Sequence, residues 1–505
     1  MSMHDLIQRY RELSHERRLL LERLLREEGL SIAQIPIARQ PRDTHRFPLS
    51  FGQQRLWFPS QIQTGNPAYN MAYAARLTGL VDVTVMEKAL NEIIRRHESL
   101  RTIFPDQEGQ PFQMILPSSK AYLPTIDMHA LPTDEREAIA FQLLQEGSLL
   151  PFDLRRGPLL RTILLRLEKE EYLFLLSIHH IVADGWSIAV FIREFVALYT
   201  AFLEDSPSPL PELPIQYVDF ARWQQNWLCD EMLNEQIAYW RSQLAGMPLS
   251  LKLPLDHPRP ALQTNNGARR AFALSPSLTA SLKELSNREG VTLFMTLVAA
   301  FQTLLHVYTG EDDMVVGTDV ANRNRVETEE LIGFFSNQLV LRTDVSQNPP
   351  FLELLKRVRD VLLGAYAHQD LPFEKLVRAL NPKRNLSYTP LFQVKIGFLS
   401  LPLLPQTFSS LKLEAVPLEG TAKFDIELSL WDSADGINGF FEYNTDLFDA
   451  ATIVRMQEHF VTILQEVEIN PEQRILAIPL KREGAKNTSA KQKQHVQSDD
   501  QFIFS

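Results

Sequence analysis

The sequence predicts an α/β protein in two lobes, on three observations. At 505 residues the chain exceeds the length at which a single hydrophobic core keeps growing. Short apolar runs of strand length alternate with longer stretches whose apolar residues recur at helical spacing. One such run, Tyr172 to Ile178, passes straight into a helical stretch through His179-His180-Ile181-Val182-Ala183-Asp184-Gly185-Trp186-Ser187, a turn crowded with polar groups.

Taken in order, residues 4 to 28 carry Leu6, Tyr10, Leu13, Leu20, Leu24 and Leu25 on one stripe, with Gly29 as the stop. This predicts a helix that lies on its own domain or docks an upstream protein. Pro36, Pro41 and Pro48 mark an extended connector, after which Ser50 can cap a short helix carrying Gln54, Leu56 and Trp57. Tyr73 to Leu80 reads as a strand. Thr84 to Glu98 reads as a helix with Met86, Ala89, Leu90, Ile93, Ile94 and His97 inward, which makes His97 a core or helix-end histidine. Leu100 to Phe104 reads as a strand, with Arg101 pointing opposite to its neighbours. If Arg101 is buried it needs an anion, and Asp184 is the candidate. Leu160 to Leu167 and Tyr172 to His179 form a hairpin around Glu168 to Glu171. The helix after the turn carries Ile188, Phe191, Ile192, Phe195, Leu198, Tyr199 and Phe202, and a proline-rich linker from Asp205 to Pro214 follows it.

Ile215 to Trp223 opens a helical stretch that runs on, with breaks, to Leu244, where the chain crosses into its second half. There the sequence predicts helices at Ser277 to Asn287, Leu293 to Tyr308, Phe351 to His368 and Ala450 to Val467. Strands are expected at Met314 to Thr318, within Ile332 to Arg342, and at Phe392 to Leu399, Phe424 to Trp431 and Phe440 to Asn444. Asp370 is placed to cap the helix that follows it. The resulting organisation is 1–30 as an N-terminal helix, 31–228 as an N-terminal lobe, 229–480 as a C-terminal lobe, and 481–505 as a polar, lysine-bearing, disordered tail.

Composition narrows the function classes. A formal charge of −11 and the lack of a long basic run argue against nucleic acid. Cys229 is the one cysteine, which rules out an intramolecular disulfide framework and fits a reducing cytoplasm. No 18-residue apolar run or signal peptide is seen, no Cys/His cluster has zinc spacing, and no phosphate-binding glycine loop occurs. Neither a membrane, a metal nor a nucleotide is indicated.

The chemistry therefore rests on the turn. A neutral imidazole accepts a proton near pH 7, its ordinary pKa being about 6.5. No cysteine lies in the turn, and Ser187, its one hydroxyl beyond the strand, stands where a helix cap should stand. Gly185 before it permits a tight or left-handed turn. This argues against an acyl-enzyme and for direct transfer, with a histidine assisting an outside nucleophile. The bland alternative is a hydrogen-bonded buried histidine pair, with Asp184 as a turn former. Two histidines and an aspartate at the end of a buried strand are costly without a role, which favours the functional reading.

Seven blocks in order then converge on a family: LSFGQQRLWF at Leu49 to Phe58, RRHESLRTIF at Arg95 to Phe104, HHIVADGWS at His179 to Ser187, YVDFARWQ at Tyr217 to Gln224, IGFFSNQLVLR at Ile332 to Arg342, HQDLPFEKLV at His368 to Val377, and RNLSYTPLFQ at Arg384 to Gln393. Over roughly residues 45 to 475 the chain resembles the condensation domains of nonribosomal peptide synthetases. The resemblance implies two chloramphenicol-acetyltransferase-like lobes arranged as a V-shaped pseudo-dimer, with a central tunnel between them. It implies amide formation between a donor thioester and the amine of an acceptor thioester, both held on phosphopantetheine arms of carrier proteins. Donor and acceptor peptidyl carrier proteins, and an adenylation domain, are the implied partners; no cofactor bound by the chain itself is implied.

By motif match His180 is the catalytic histidine and His179 its structural companion. Asp184 is the structural acid paired with Arg101, Gly185 offers its backbone N–H, and Asn337 and Gln338, with Ser336 beside them, line the tunnel. Trp186 favours condensation over epimerisation, and HHxxxDG in place of DxxxxD argues against heterocyclisation. SNQ at Ser336 to Gln338 and SYTP at Ser387 to Pro390 depart from the VNT and SRNP of many relatives. Because no adenylation or carrier sequence follows Pro479, the chain is expected to be free-standing or an excised piece, and a free-standing form recruits its carriers in trans. Two alternatives remain: a related acyl transfer to a soluble acceptor or from a fatty-acyl donor, and a non-catalytic recruiting domain.

Overall fold

The computed structural model describes residues 37–480 apart from 63–64, 118–119, 229, 384, 400–406, 410, 419 and 434. The helix expected over residues 4–28 and the tail from Lys481 lie outside the described residues.

Two six-stranded mixed sheets, each backed by helices, form the two lobes. In the first, the strand order is Thr407–Phe408, Leu411–Val416, Asn70–Thr78, Glu171–His179, Leu160–Glu168 and Thr125–Asp127. The expected hairpin is present, antiparallel with Leu160 opposite Ile178. Its second strand runs on to His179, which faces Asn70 on the neighbouring strand. In the second sheet the order is Gly267–Ala273, Gly436–Asn444, Ile426–Ser433, Val394–Leu399, Asp313–Val320 and Asn337–Asp344. The Leu293–Thr309, Phe351–Ala367 and Ala450–Ile469 helices pack on it, burying one large core that includes Phe301, Phe441 and Phe460.

The Gly185–Leu203 helix is long and apolar enough to cross a membrane by length and composition. In this fold it is a core helix. It packs beside Val83–Arg96, and its Glu194 carboxylate accepts from Arg96 Nε at 3.1 Å and Nη2 at 3.0 Å, both side chains being buried. His97 ends the Val83–Arg96 helix as the C-cap, its Nε2 3.0 Å from Glu194, so the ring is a buried strut.

Two segments of the second half cross into the first. Thr407–Phe408 and Leu411–Val416 extend the first sheet, with Leu413 opposite Leu77. Leu331, Ile332, Phe334 and Phe335 are buried in the first lobe's core beside Val182, Tyr217 and Phe220. Neither crossing was expected from the sequence, because an apolar strand does not encode which sheet it joins. The second crossing leaves no room to spare at Gly333: a Cβ there would lie 1.9 Å from Cδ2 of Tyr217. Gly333→Ala is expected to destabilise the chain by at least about 1–3 kcal/mol, as overpacking of a close-packed core does. An unchanged urea midpoint would contradict this packing.

Candidate active site

The strand ending at His179 gives way to a single 3₁₀ turn, His180–Val182, and then to the Gly185–Leu203 helix. This turn sets the two rings differently. Nδ1 of His179 accepts from the Ile181 N–H at 3.1 Å, which puts the proton of the neutral ring on Nε2. Nδ1 of His180 lies 2.8 Å from the Ala183 carbonyl, and a carbonyl can only accept. The proton of His180 is therefore on Nδ1, leaving the Nε2 lone pair free to receive a proton.

His179 is buried, against Phe152 and Tyr69. His180 is part-exposed and meets Phe334 of the second lobe edge to face, with centroids 4.9 Å apart. Burial pushes the His179 pKa down to about 3, helped by His180 and Lys423. Burial and Lys423 push that of His180 to about 4, against the Ala183 carbonyl and Asp184. Both rings are neutral at neutral pH, and His180 keeps its base form down to about pH 4.

Asp184 is the hub of the site. Its Oδ1 accepts from the Ser187 N–H at 2.9 Å, the Ser187 hydroxyl at 2.6 Å and Arg323 Nη2 at 3.0 Å. Its Oδ2 accepts from the backbone N–H groups of Phe335 at 3.0 Å and Ser336 at 3.2 Å. Burial alone would raise this carboxyl's pKa; Arg323 and these donors overcome it and hold the pKa below the ordinary value. Arg323 is itself buried, donates from Nη1 to the Leu331 carbonyl at 2.8 Å, and lies 4.1 Å from the Phe335 ring. One carboxylate thus joins the first-lobe turn to two segments of the second lobe.

Several expectations are corrected. Arg101 does not pair with Asp184. The chain at Glu98–Arg101 is a 3₁₀ turn and becomes a strand only at Thr102–Ile103. Residues three apart eclipse in such a turn, so Arg101 stands over Glu98, 3.7 Å away, and donates to the Leu116 carbonyl at 2.5 Å. The partner is Arg323, in the stretch Asn322-Arg323-Asn324-Arg325; a buried aspartate signals that some cation is needed, and the fold chooses which. Ser187 is not the cap. Asp184 is the N-cap, accepting from the N–H three residues on, and the Ser187 hydroxyl, which donates to Asp184, instead accepts from the Gly333 N–H at 3.1 Å.

Gly185 is the first helical residue and its φ is not positive, so no left-handed turn is needed. A Cβ on Gly185 would meet nothing within 4 Å, so open space lies beside it. Its N–H, like the first ones of any helix, has no intrahelical acceptor. Trp186 is exposed and donates from Nε1 to the Glu329 carbonyl at 2.9 Å, a further tie between lobes.

The three second-lobe candidates divide. Ser336 contributes its N–H to Asp184 and, with Asn337, borders a small polar cavity shared with Arg55, Asp370 and Glu374. Asn337 is committed to the backbone: its Nδ2 donates to the carbonyls of Gln369 and Leu371, both at 2.8 Å, and its Oδ1 accepts from the Phe373 N–H at 3.1 Å. It thereby does what was expected of Asp370, which is not the N-cap of the Phe373–Leu380 helix; Pro372 holds that position. Gln338 reaches Asp319 at 3.1 Å and accepts from Arg55 of the first lobe.

The two-lobed α/β fold, with a histidine pair at a strand-to-helix turn clamped by an aspartate, is the chloramphenicol-acetyltransferase-like architecture expected from the sequence. The family model described as "Condensation domain" matches residues 43–487. One of the linear gramicidin synthase proteins of Brevibacillus parabrevis is 51% identical over 448 residues, covering 88% of this chain and 6% of that protein. Phosphinothricin tripeptide synthetase PhsC of Streptomyces viridochromogenes is 42% identical over 485 residues, covering 95% of this chain and 44% of its own length. A crystal structure of the X-domain from teicoplanin biosynthesis superposes with a TM-score of 0.78 at 29% identity, covering 88% of this chain and 99% of that one. The chain belongs to the condensation-domain family of nonribosomal peptide synthetases, and it spans less than half the length of either of the two synthetases.

Proposed function

We propose that the chain forms an amide bond between a donor thioester and the α-amine of an acceptor thioester, each carried on the phosphopantetheine arm of a separate carrier domain in the cytoplasm. The observation that carries the reading is the tautomer of His180, with Nδ1–H held by the Ala183 carbonyl and a free Nε2 lone pair between the lobes. The amine nitrogen attacks the thioester carbonyl, the C–S bond breaks, and the proton lost by nitrogen ends on the departing thiol.

A histidine titrating near pH 4 is too weak a base to deprotonate an ammonium of pKa about 7.7–8.0 beforehand. Its Nε2 orients the neutral amine by accepting one N–H, and takes that proton only as the C–N bond forms and the nitrogen becomes acidic. Holding two tethered reactants side by side supplies the remainder. Asp184 positions the turn and takes no part in proton transfer, since both of its oxygens are already occupied by donors.

The test is mass spectrometry of product after mixing the chain with a loaded donor carrier and either a carrier-bound or a free aminoacyl acceptor. Amide formed only with the carrier-bound acceptor is the expected result. Product with the free acceptor alone would replace this reading with acyl transfer to a soluble acceptor, and no product from any loaded pair would leave a recruiting role.

A further inference from the structure

The outer edge of the first sheet is not fully closed. Thr125–Asp127 runs parallel to Leu164–Arg166, and the Leu164 N–H donates to the Pro124 carbonyl at 2.9 Å. Two residues back the ladder stops. Alternate residues of a strand turn their N–H to the same side, so that of Thr162 faces this edge, yet it is the Thr162 hydroxyl that donates to the Tyr122 carbonyl, at 3.0 Å. The two chains splay here, and the gap opens into a cavity of about 290 Å³. Ile94, Leu100, Leu160, Ile163 and Leu175 form its walls, and no residue of the histidine turn is among them. Its floor is shut at Gly147, near the end of the Thr133–Leu149 helix, where a Cβ would lie 2.9 Å from Cδ2 of Leu175.

Two of the lining side chains, Tyr122 and Leu150, are 78% and 51% exposed, large groups left in water beside an apolar hole. The charged residues of the lining are Lys120 and Arg161, with no aspartate or glutamate among them, in a chain whose net charge is −11. Arg161 donates to the carbonyls of Leu150 at 2.9 Å and Pro151 at 2.8 Å, and lies over the Phe152 ring, 4.0 Å from its centroid. Both acceptors are neutral, and a guanidinium has further N–H groups to offer an anion. Among the described residues neither Lys120 nor Arg161 has a carboxylate within ion-pair reach.

We propose that this cavity is a binding site for a medium-length aliphatic carboxylate, its chain against the Ile94, Leu160, Ile163 and Leu175 walls and its carboxylate at Lys120 and Arg161. The volume sets the chain length. It is roughly twice the ~150 Å³ of an apolar cavity that takes benzene, which leaves room for roughly eight to ten carbons. Aliphatic walls gain from hydrocarbon what they do not gain from water. The two cations select the head group, because a carboxylate there meets positive charge with no acid in the lining to compete. The site stands apart from the amide-forming reading and holds whether or not that reading does.

The test uses the full chain with ¹³C-labelled isoleucine and leucine methyl groups and decanoate as the probe. Saturable shifts are expected at the methyl groups of Ile94, Leu160, Ile163 and Leu175. Affinity should rise roughly fourfold per methylene from hexanoate to decanoate, then level off once the chain meets the floor at Gly147. Decanol, which lacks the charge, should bind roughly fivefold more weakly, and Lys120→Met should remove most of that preference. Ala121→Phe fills the cavity and should abolish the shifts; Leu150→Trp, at the exposed rim, is read the same way if the first variant unfolds. Shifts scattered over other surfaces, affinity that climbs without levelling as the chain lengthens, or decanol equal to decanoate would each overturn the proposal. Loss of decanoate binding in His180→Ala would also overturn it, by placing the ligand at the histidine turn.

Discussion

Replacing His180 by alanine is expected to cut amide formation by about 10²–10⁴-fold while leaving the melting temperature almost unchanged. The two halves of this expectation have separate causes. The ring is part-exposed, and its hydrogen bond to the Ala183 carbonyl is local, so removing it disturbs little else. The activity falls because, among the described residues, no other side chain presents a free imidazole lone pair there: the neighbouring His179 is buried with its Nδ1 occupied by the Ile181 N–H. The measurement is the single-turnover rate with loaded donor and acceptor carriers, alongside a thermal melt. A wild-type rate in the alanine variant would remove His180 from the chemistry.

Asp184→Ala is expected to do the opposite, costing about 3–5 kcal/mol of stability, with activity lost as a consequence. It would strand a buried guanidinium and the backbone N–H groups of Phe335 and Ser336 with no acceptor. Asp184→Asn should fare little better, because an amide nitrogen in either position would face donors. The sign of the pH dependence follows from the lowered carboxyl pKa. The stabilisation is complete above the unfolded value of about 3.9 and is lost as pH falls toward the folded one. A double-mutant cycle settles which arginine matters. Coupling of Asp184→Ala with Arg323→Met should be large, and coupling with Arg101→Ala near zero, since Arg101 is engaged by Glu98 and Leu116. The reverse outcome would reinstate Arg101.

The sequence by itself determined most of the strands and helices and singled out the candidate reacting group. Periodicity located the hairpin ending at His179 and the long helices of both lobes, because a strand or helix with one buried face writes its period into the chain. The order of seven blocks placed the chain in its family, and the polar turn after a buried strand singled out the histidine pair.

Only the tertiary structure decided who meets whom. Asp184 takes Arg323, 139 positions away, over Arg101 because a 3₁₀ turn swings Arg101 onto Glu98. Residues 407–416 join the first sheet, and Asn337 caps a helix from another strand. Period and turn chemistry are short-range properties of the backbone. The pairing of a buried charge depends on which of several chemically equivalent partners the packed core brings within about 3 Å.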